Sequence, residues 1–409
     1  MELINSTSSL SMKDQQQANV FLDVSRYSAI VGVTLGPFST ALMSVCCVLM
    51  VLSWLVSRQA LPLLKEAMSQ PVAKALALFF LVLIIGVFYS VVDIKTGIHT
   101  LWSWRKLAYI FILLGLFNSV YWKERFITFF LIGMVLALFL SYLAWFEIVP
   151  SKNQLGILAS NYTQQSMAFV VATIFLIVRV KEASIKLKYL YIILILLFVI
   201  NILYVSQSRT GYIALVSGGL VASLYVLGKK NSHIVIGGVI VLLAIVAFSS
   251  KILQERVTKG ILELKTYQTS PVLTSIGVRA LFAENTINII KKKPIIGYGT
   301  GSFEVIYAEE IADKYSGWRA KATTDPHNQY LYVLAENGVI GFLSFLGFIS
   351  IVIRQGFVTD KYGVMAASIM VAWVLASLFN STFKTFIEGH LLGLVLGAML
   401  AMIPTHNSK

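Results

Sequence analysis

Three short segments of this 409-residue chain hold the side chains best able to do chemistry. The first, Tyr204-Val-Ser-Gln-Ser-Arg-Thr-Gly211, sets the hydroxyls and amide of Ser206, Gln207, Ser208 and Thr210 around Arg209. A planar guanidinium among such donors suits a bidentate grip on phosphate. Taken alone, an arginine between two apolar runs also reads as a side chain reaching for the lipid headgroups. The second segment, Ser-Pro-Val-Leu-Thr-Ser-Ile-Gly-Val-Arg279 and onward to Lys293, places Arg279 on an amphipathic helix whose apolar side is Leu281, Ile287, Ile289 and Ile290. By itself that arginine is a solvated helix face. The third, Asp325-Pro-His-Asn-Gln-Tyr-Leu331, offers a helix start at Pro326 and a proton carrier at His327. Asn328 and Gln329 beside it can bind hydroxyls. If the three segments meet, Arg209 and Arg279 could neutralise a diphosphate as its bond breaks, with His327 near the reacting carbon. Arg319, Lys321, Asn161, Gln164, Lys384 and Glu388 rank behind them.

The elements that must bring those segments together are membrane helices. Hydrophobic residues make up 57% of the chain and charged residues 13%, with a mean hydropathy of +0.79, which exceeds what a soluble domain carries. Apolar runs between charged breaks predict twelve spans, near 24–36, 38–57, 74–93, 106–121, 126–147, 166–180, 188–206, 211–228, 232–249, 329–354, 361–379 and 386–404. Pro37 interrupts the first pair. This makes an all-α polytopic membrane protein in three parts: a bundle over 1–249, a long polar loop over 250–328 containing short helices, and further spans over 329–409. The N-terminus lacks the pattern of a cleavable signal, so the first helix is expected to serve as the anchor.

Twelve spans starting inside put both termini in the cytoplasm, and the basic residues agree. Segments assigned inside carry Arg179, Lys181, Lys186, Lys188, Lys229 and Lys230 among others, whereas the short outside loops carry only Lys95, Arg105, Lys106, Lys152, Arg209 and Lys384. On that topology the long loop and all three chemical segments face the periplasm. The net charge of +14 is dispersed over many loops, so membrane lipids rather than nucleic acid are its expected partner. Cys46 and Cys47 are adjacent in an apolar run and read as packing residues. There is no D-x-D pair, H-E-x-x-H or cysteine cluster to hold a metal, and Gly297-Tyr-Gly-Thr-Gly-Ser302 lacks the lysine of a nucleotide loop. Neither a metal nor another cofactor is expected. Transporters would place ionisable residues in mid-span; here they gather at span ends, and Asn201 reads as a helix-packing contact.

The ordered set S-Q-S-R-T-G, then a loop with Arg279 and P-I-I-G-Y-G-T-G-S-F, then P-H-N-Q-Y-L resembles the O-antigen ligase (WaaL) family within the O-antigen ligase and polymerase superfamily. The motifs lie in the second half of the chain, and the first half contributes hydropathy alone. The resemblance implies a membrane glycosyltransferase fold of the GT-C kind in the bacterial inner membrane. It further implies inverting, metal-independent transfer of O-antigen from undecaprenyl diphosphate to the lipid A-core. By matching position Arg209 and Arg279 would bind the diphosphate, and His327 would activate the acceptor hydroxyl or stabilise the transition state. An O-antigen or capsule polymerase, which uses the same donor, is the alternative.

Overall fold

A computed structural model describes residues 12–151, 154–231, 233, 237–238, 262–263 and 274–403. Every regular element among them is a helix, as a chain immersed in hydrocarbon requires, since no water is present there to satisfy an open backbone. The order is α1 Met12–Leu35, α2 Thr40–Val56, α3 Ala60–Ser69, α4 Pro71–Phe88, α5 Ile94–Ser103, α6 Arg105–Leu116, α7 Val120–Trp145, α8 Tyr162–Val180, α9 Ile185–Ile200, α10 Arg209–Leu227, α11 Ser275–Lys292, α12 Phe303–Ile311, α13 Gln329–Val358, α14 Lys361–Ala376 and α15 Phe386–Leu400. Polar residues start these helices where the hydropathy pattern changes. Ser119, Asn161, Ser208, Thr274, Asn328 and Asp360 each accept a hydrogen bond from an orphan N–H of the first turn.

Among the described residues, six helices are long and apolar enough to cross a membrane: α4, α7, α8, α9 with its continuation to Ser206, α10 and α13. α2 and α3, bent by 104°, qualify only together, and α14 and α15 are apolar but shorter. The predicted span at 106–121 is the 12-residue α6. The predicted span at 232–249, apart from residues 233, 237 and 238, lies outside the described residues. The first pair forms a hairpin turning at Gly36–Phe38, and Thr34, just before the turn, packs on Gly133 in the middle of α7.

Close packing here comes from shape, because lipid is as apolar as leucine and does not drive the helices together. α15 carries Gly389, Gly393 and Gly397 at intervals of four, and all three face α6. A Cβ on Gly397 would sit 3.1 Å from the Cα of Ile110, so only glycine admits the α6 backbone at that distance. At the end of the bundle remote from the three chemical segments, charges brace the helices. Glu124 accepts from Arg179, from the Tyr362 hydroxyl at 2.6 Å and lies 3.1 Å from Lys361, which also holds Glu182 at 2.7 Å. The buried Lys123 donates to the Met399 carbonyl at 2.9 Å, satisfying an orphan acceptor at the C-terminus of α15.

The loop Pro294–Gly301 is built into the bundle. Gly297, Gly299 and Gly301 have φ of 69°, 95° and 90°, the unusual backbone angles that its glycines anticipate. α13 is broken at Gly338, with φ 59° and ψ −162°, and the amides and carbonyls that the break frees pair with this loop. Tyr298 and Gly299 donate to Ala335 and Glu336, while Val339 and Ile340 donate to Pro294 and Ile295. On its other side, the Thr300 amide and hydroxyl bond Gly86 and Leu83 at the end of α4. The loop therefore plugs the space between α4 and the kinked α13, and it fixes α11 and α12 on either side of itself.

Candidate active site

Arg209 is presented by an irregularity in the chain. α9 runs into a wider π-helical turn, Asn201–Ser206, which reverses the backbone through Gln207 at φ 50° before α10 begins. A buried polar hub holds this turn. Gln165 donates to Ser141 at 3.0 Å, to the Gly156 carbonyl at 3.1 Å and to Ser206 at 3.4 Å, while Asn201 donates to Ser141 at 2.9 Å and accepts from Ser206 at 3.2 Å. Asn201 is thus a packing contact, as its place in a span suggests, and it also belongs to the support beneath the site. Ser208 caps α10 and donates to Thr163 at the start of α8, 3.2 Å away. Arg209 stands exposed at the first position of α10.

Arg279 reaches the same place from α11. That helix is anchored by Leu281 and Ile289, each 1% exposed, while Ile287 faces outward. Arg209 and Arg279 line one cavity of about 470 Å³ together with Gln154, Tyr162, Thr163, Ser206, Gln207, Ser208, Thr210 and Asn380. No carboxylate is among these residues, so the cavity is a cationic recess walled by hydroxyls and amides. Burial, and then the nearby Arg209 charge, pull the Arg279 pKa below the usual arginine value, a cost that an incoming anion would relieve.

His327 is not part of this cavity's wall. Its imidazole stacks on Phe282, with ring centroids 6.1 Å apart and planes 13° apart, one helical turn from Arg279. Phe282 is held edge-on by Tyr307. The backbone of His327 is left-handed, at φ 54°, and its N–H donates to the Asp325 carboxylate at 2.7 Å.

The remaining expected residues sit elsewhere. Asn328 spends its side chain on structure, accepting from the Tyr330 and Leu331 amides and donating to the Leu378 carbonyl. Gln329 is fully buried in the bundle. Arg319 lies over the Trp318 ring at 5.1 Å, in a 3-10 turn that does not wall the cavity. Lys321 is exposed, Asn161 caps α8, and Gln164 follows in the first turn of that helix. Lys384 lies 3.7 Å from Asp325, and Glu388 is buried one turn further on. Sequence reasoning passed over Gln154, Tyr162, Thr163 and Asn380 as cavity residues. The signal for Thr163 was its place between Asn161 and Gln164, and for Asn380 the polar break Asn-Ser-Thr after an apolar run. Among the described residues, no three His, Cys, Asp or Glu side chains are grouped so as to hold a metal ion.

These features define a polytopic helical membrane protein with a cationic recess at one end of its bundle. Residues 192–346, which include Arg209, Arg279 and His327, match the family model described as O-antigen ligase. No curated protein matches the chain.

Proposed function

We propose that this protein is the O-antigen ligase itself, transferring polysaccharide from undecaprenyl diphosphate to the lipid A-core on the periplasmic face of the inner membrane. The observation that carries this reading is the cavity in which Arg209 and Arg279 stand together without a carboxylate. Two guanidiniums in a recess walled by Ser206, Gln207, Ser208 and Thr163 suit a diphosphate, because each can give two parallel N–H donors and the hydroxyls take the remaining oxygens.

In the proposed step the acceptor hydroxyl attacks the anomeric carbon from the face opposite the diphosphate. The new C–O bond forms as the bond to the diphosphate breaks, which inverts the sugar centre. The leaving diphosphate takes the electron pair, and Arg209 and Arg279 stabilise its growing charge. His327 takes the hydroxyl proton as general base. The periplasmic placement rests on the asymmetry of lysine and arginine between the two sets of loops.

The test is deletion of the gene in a strain that makes smooth lipopolysaccharide, followed by complementation with the unsubstituted protein, Arg209→Ala, Arg279→Ala or His327→Ala at matched expression. Loss of the ladder, with polymer accumulating on undecaprenyl diphosphate, supports the ligase. Persistence of single-repeat lipopolysaccharide with loss of longer chains makes the protein a polymerase. An intact ladder in the deletion strain removes both.

A further inference from the structure

His327 needs to be held, since a left-handed backbone at φ 54° is unfavourable for a residue with a side chain. One carboxylate does the holding. Asp325 Oδ1 accepts the His327 N–H at 2.7 Å and the Ser381 hydroxyl at 2.7 Å, and Oδ2 lies 3.7 Å from Lys384 Nζ. Lys384 is fixed in turn. Its ammonium sits 3.5 Å from the centre of the Tyr332 ring, and its carbonyl accepts from Lys106 on α6. On the far side of His327, the Asn328 amide donates to Leu378 at 3.1 Å and the Gln329 N–H donates to Ser377 at 3.0 Å. The histidine backbone is therefore tied on both sides to the segment joining α14 and α15. That same segment supplies Asn380 to the wall of the arginine cavity.

We infer that Asp325 is a positioning residue for His327: a carboxylate clamp, completed by Ser381 and Lys384, that sets the imidazole on Phe282 in register with the arginine cavity. This rests on the role given to His327 above. The clamp acts on the backbone of His327. It decides where the ring stands, whereas a carboxylate bonded to a ring nitrogen would decide which nitrogen carries the proton. Losing it frees the left-handed residue to relax and carries the ring out of line. Displacement of a reacting group by about 1 Å is enough to lower a rate by roughly 100-fold.

The experiment uses the purified full-length protein in lipid nanodiscs. The donor is glycan-loaded undecaprenyl diphosphate extracted from the deletion strain, and the acceptor is core-only lipopolysaccharide. Asp325→Ala is expected to lower kcat by roughly 100-fold with the donor KM little changed, because Arg209 and Arg279 are untouched. Asp325→Asn keeps an acceptor oxygen for both His327 and Ser381 and is expected to restore most of the rate. Hydrogen exchange of the peptide spanning residues 322–331 gives a readout independent of activity: the His327 amide should exchange faster in Asp325→Ala and remain protected in Asp325→Asn. The clamp is overturned if Asp325→Ala transfers at the unsubstituted rate, if Asn behaves as Ala does, or if exchange at His327 is the same in all forms. Failure of the unsubstituted protein to transfer anything would remove the ligase reading alone, leaving the exchange result to decide the clamp.

Discussion

The imidazole of His327 lies nearly parallel to the ring of Phe282, with centroids 6.1 Å apart, and Phe282 is one turn of α11 from Arg279. This stacking links a loop at the start of α13 to a helix of the long polar segment. Phe282→Ala removes the platform while the edge-on partner Tyr307 stays anchored between Phe303 and Asn285. An aromatic pair of this kind contributes about 1 kcal/mol beyond its buried area. The expected outcome is a roughly fivefold loss of kcat with retained folding, whereas Phe282→Tyr keeps the ring and the rate. Steady-state transfer kinetics alongside a detergent melting curve check both.

The two arginines should respond to loss of the fork rather than loss of charge. Arg209→Lys and Arg279→Lys keep a cation in the cavity but give up the pair of parallel donors. Each is expected to lower kcat/KM by roughly 100-fold, with the donor KM raised. A lysine variant that equals the parent protein would mean that the cavity reads charge only.

Gln165 is the hub under the π turn, and its removal should be felt as stability. Gln165→Leu leaves the half-buried Leu158 amide without its acceptor, while the Ser141 hydroxyl and the Gly156 carbonyl keep each other at 2.7 Å. The stranded amide costs about 1–3 kcal/mol. A clear fall in melting temperature is expected, with transfer lost in parallel because the turn that presents Arg209 loosens. Ser141→Ala, which removes one member of the same hub, should give a smaller fall of the same kind.

Gly338 is the position where α13 can least accept a side chain. Its φ is 59°, and an added Cβ would lie within 2.6 Å of the Ile296 amide in the glycine loop. Gly338→Ala therefore combines backbone strain with a collision against the plug and is expected to destabilise by more than 1 kcal/mol. Size-exclusion behaviour of the purified protein in mild detergent is the check; a monodisperse, fully active variant would show that the plug is dispensable.

Local patterns in the chain were enough for the helical class and for the residues with chemical potential, but not for which helices are long enough to span. Long apolar runs cannot leave their backbone unpaired in lipid, so they become helices, and Ser, Thr, Asn or Asp at their borders caps them. Arg209, Arg279 and His327 stand out because polar side chains between such runs are few. Which of them share a cavity was not a local matter. Asn380 joins the wall only because α14 and α15 return to the same end of the bundle as α8 and α10, far away in sequence. Asn328 looked like a ligand for hydroxyls, and capping α13 consumed it. The glycine loop could be recognised as able to turn sharply, but its target, the broken middle of α13, is set by pairing across the fold. His327 was placed against Phe282 rather than in the cavity wall by a hydrogen bond to Asp325 and the ties to Ser377, Leu378 and Ser381. Hydropathy and capping act over a few residues, whereas the shape and charge of a recess arise from groups that only packing brings together.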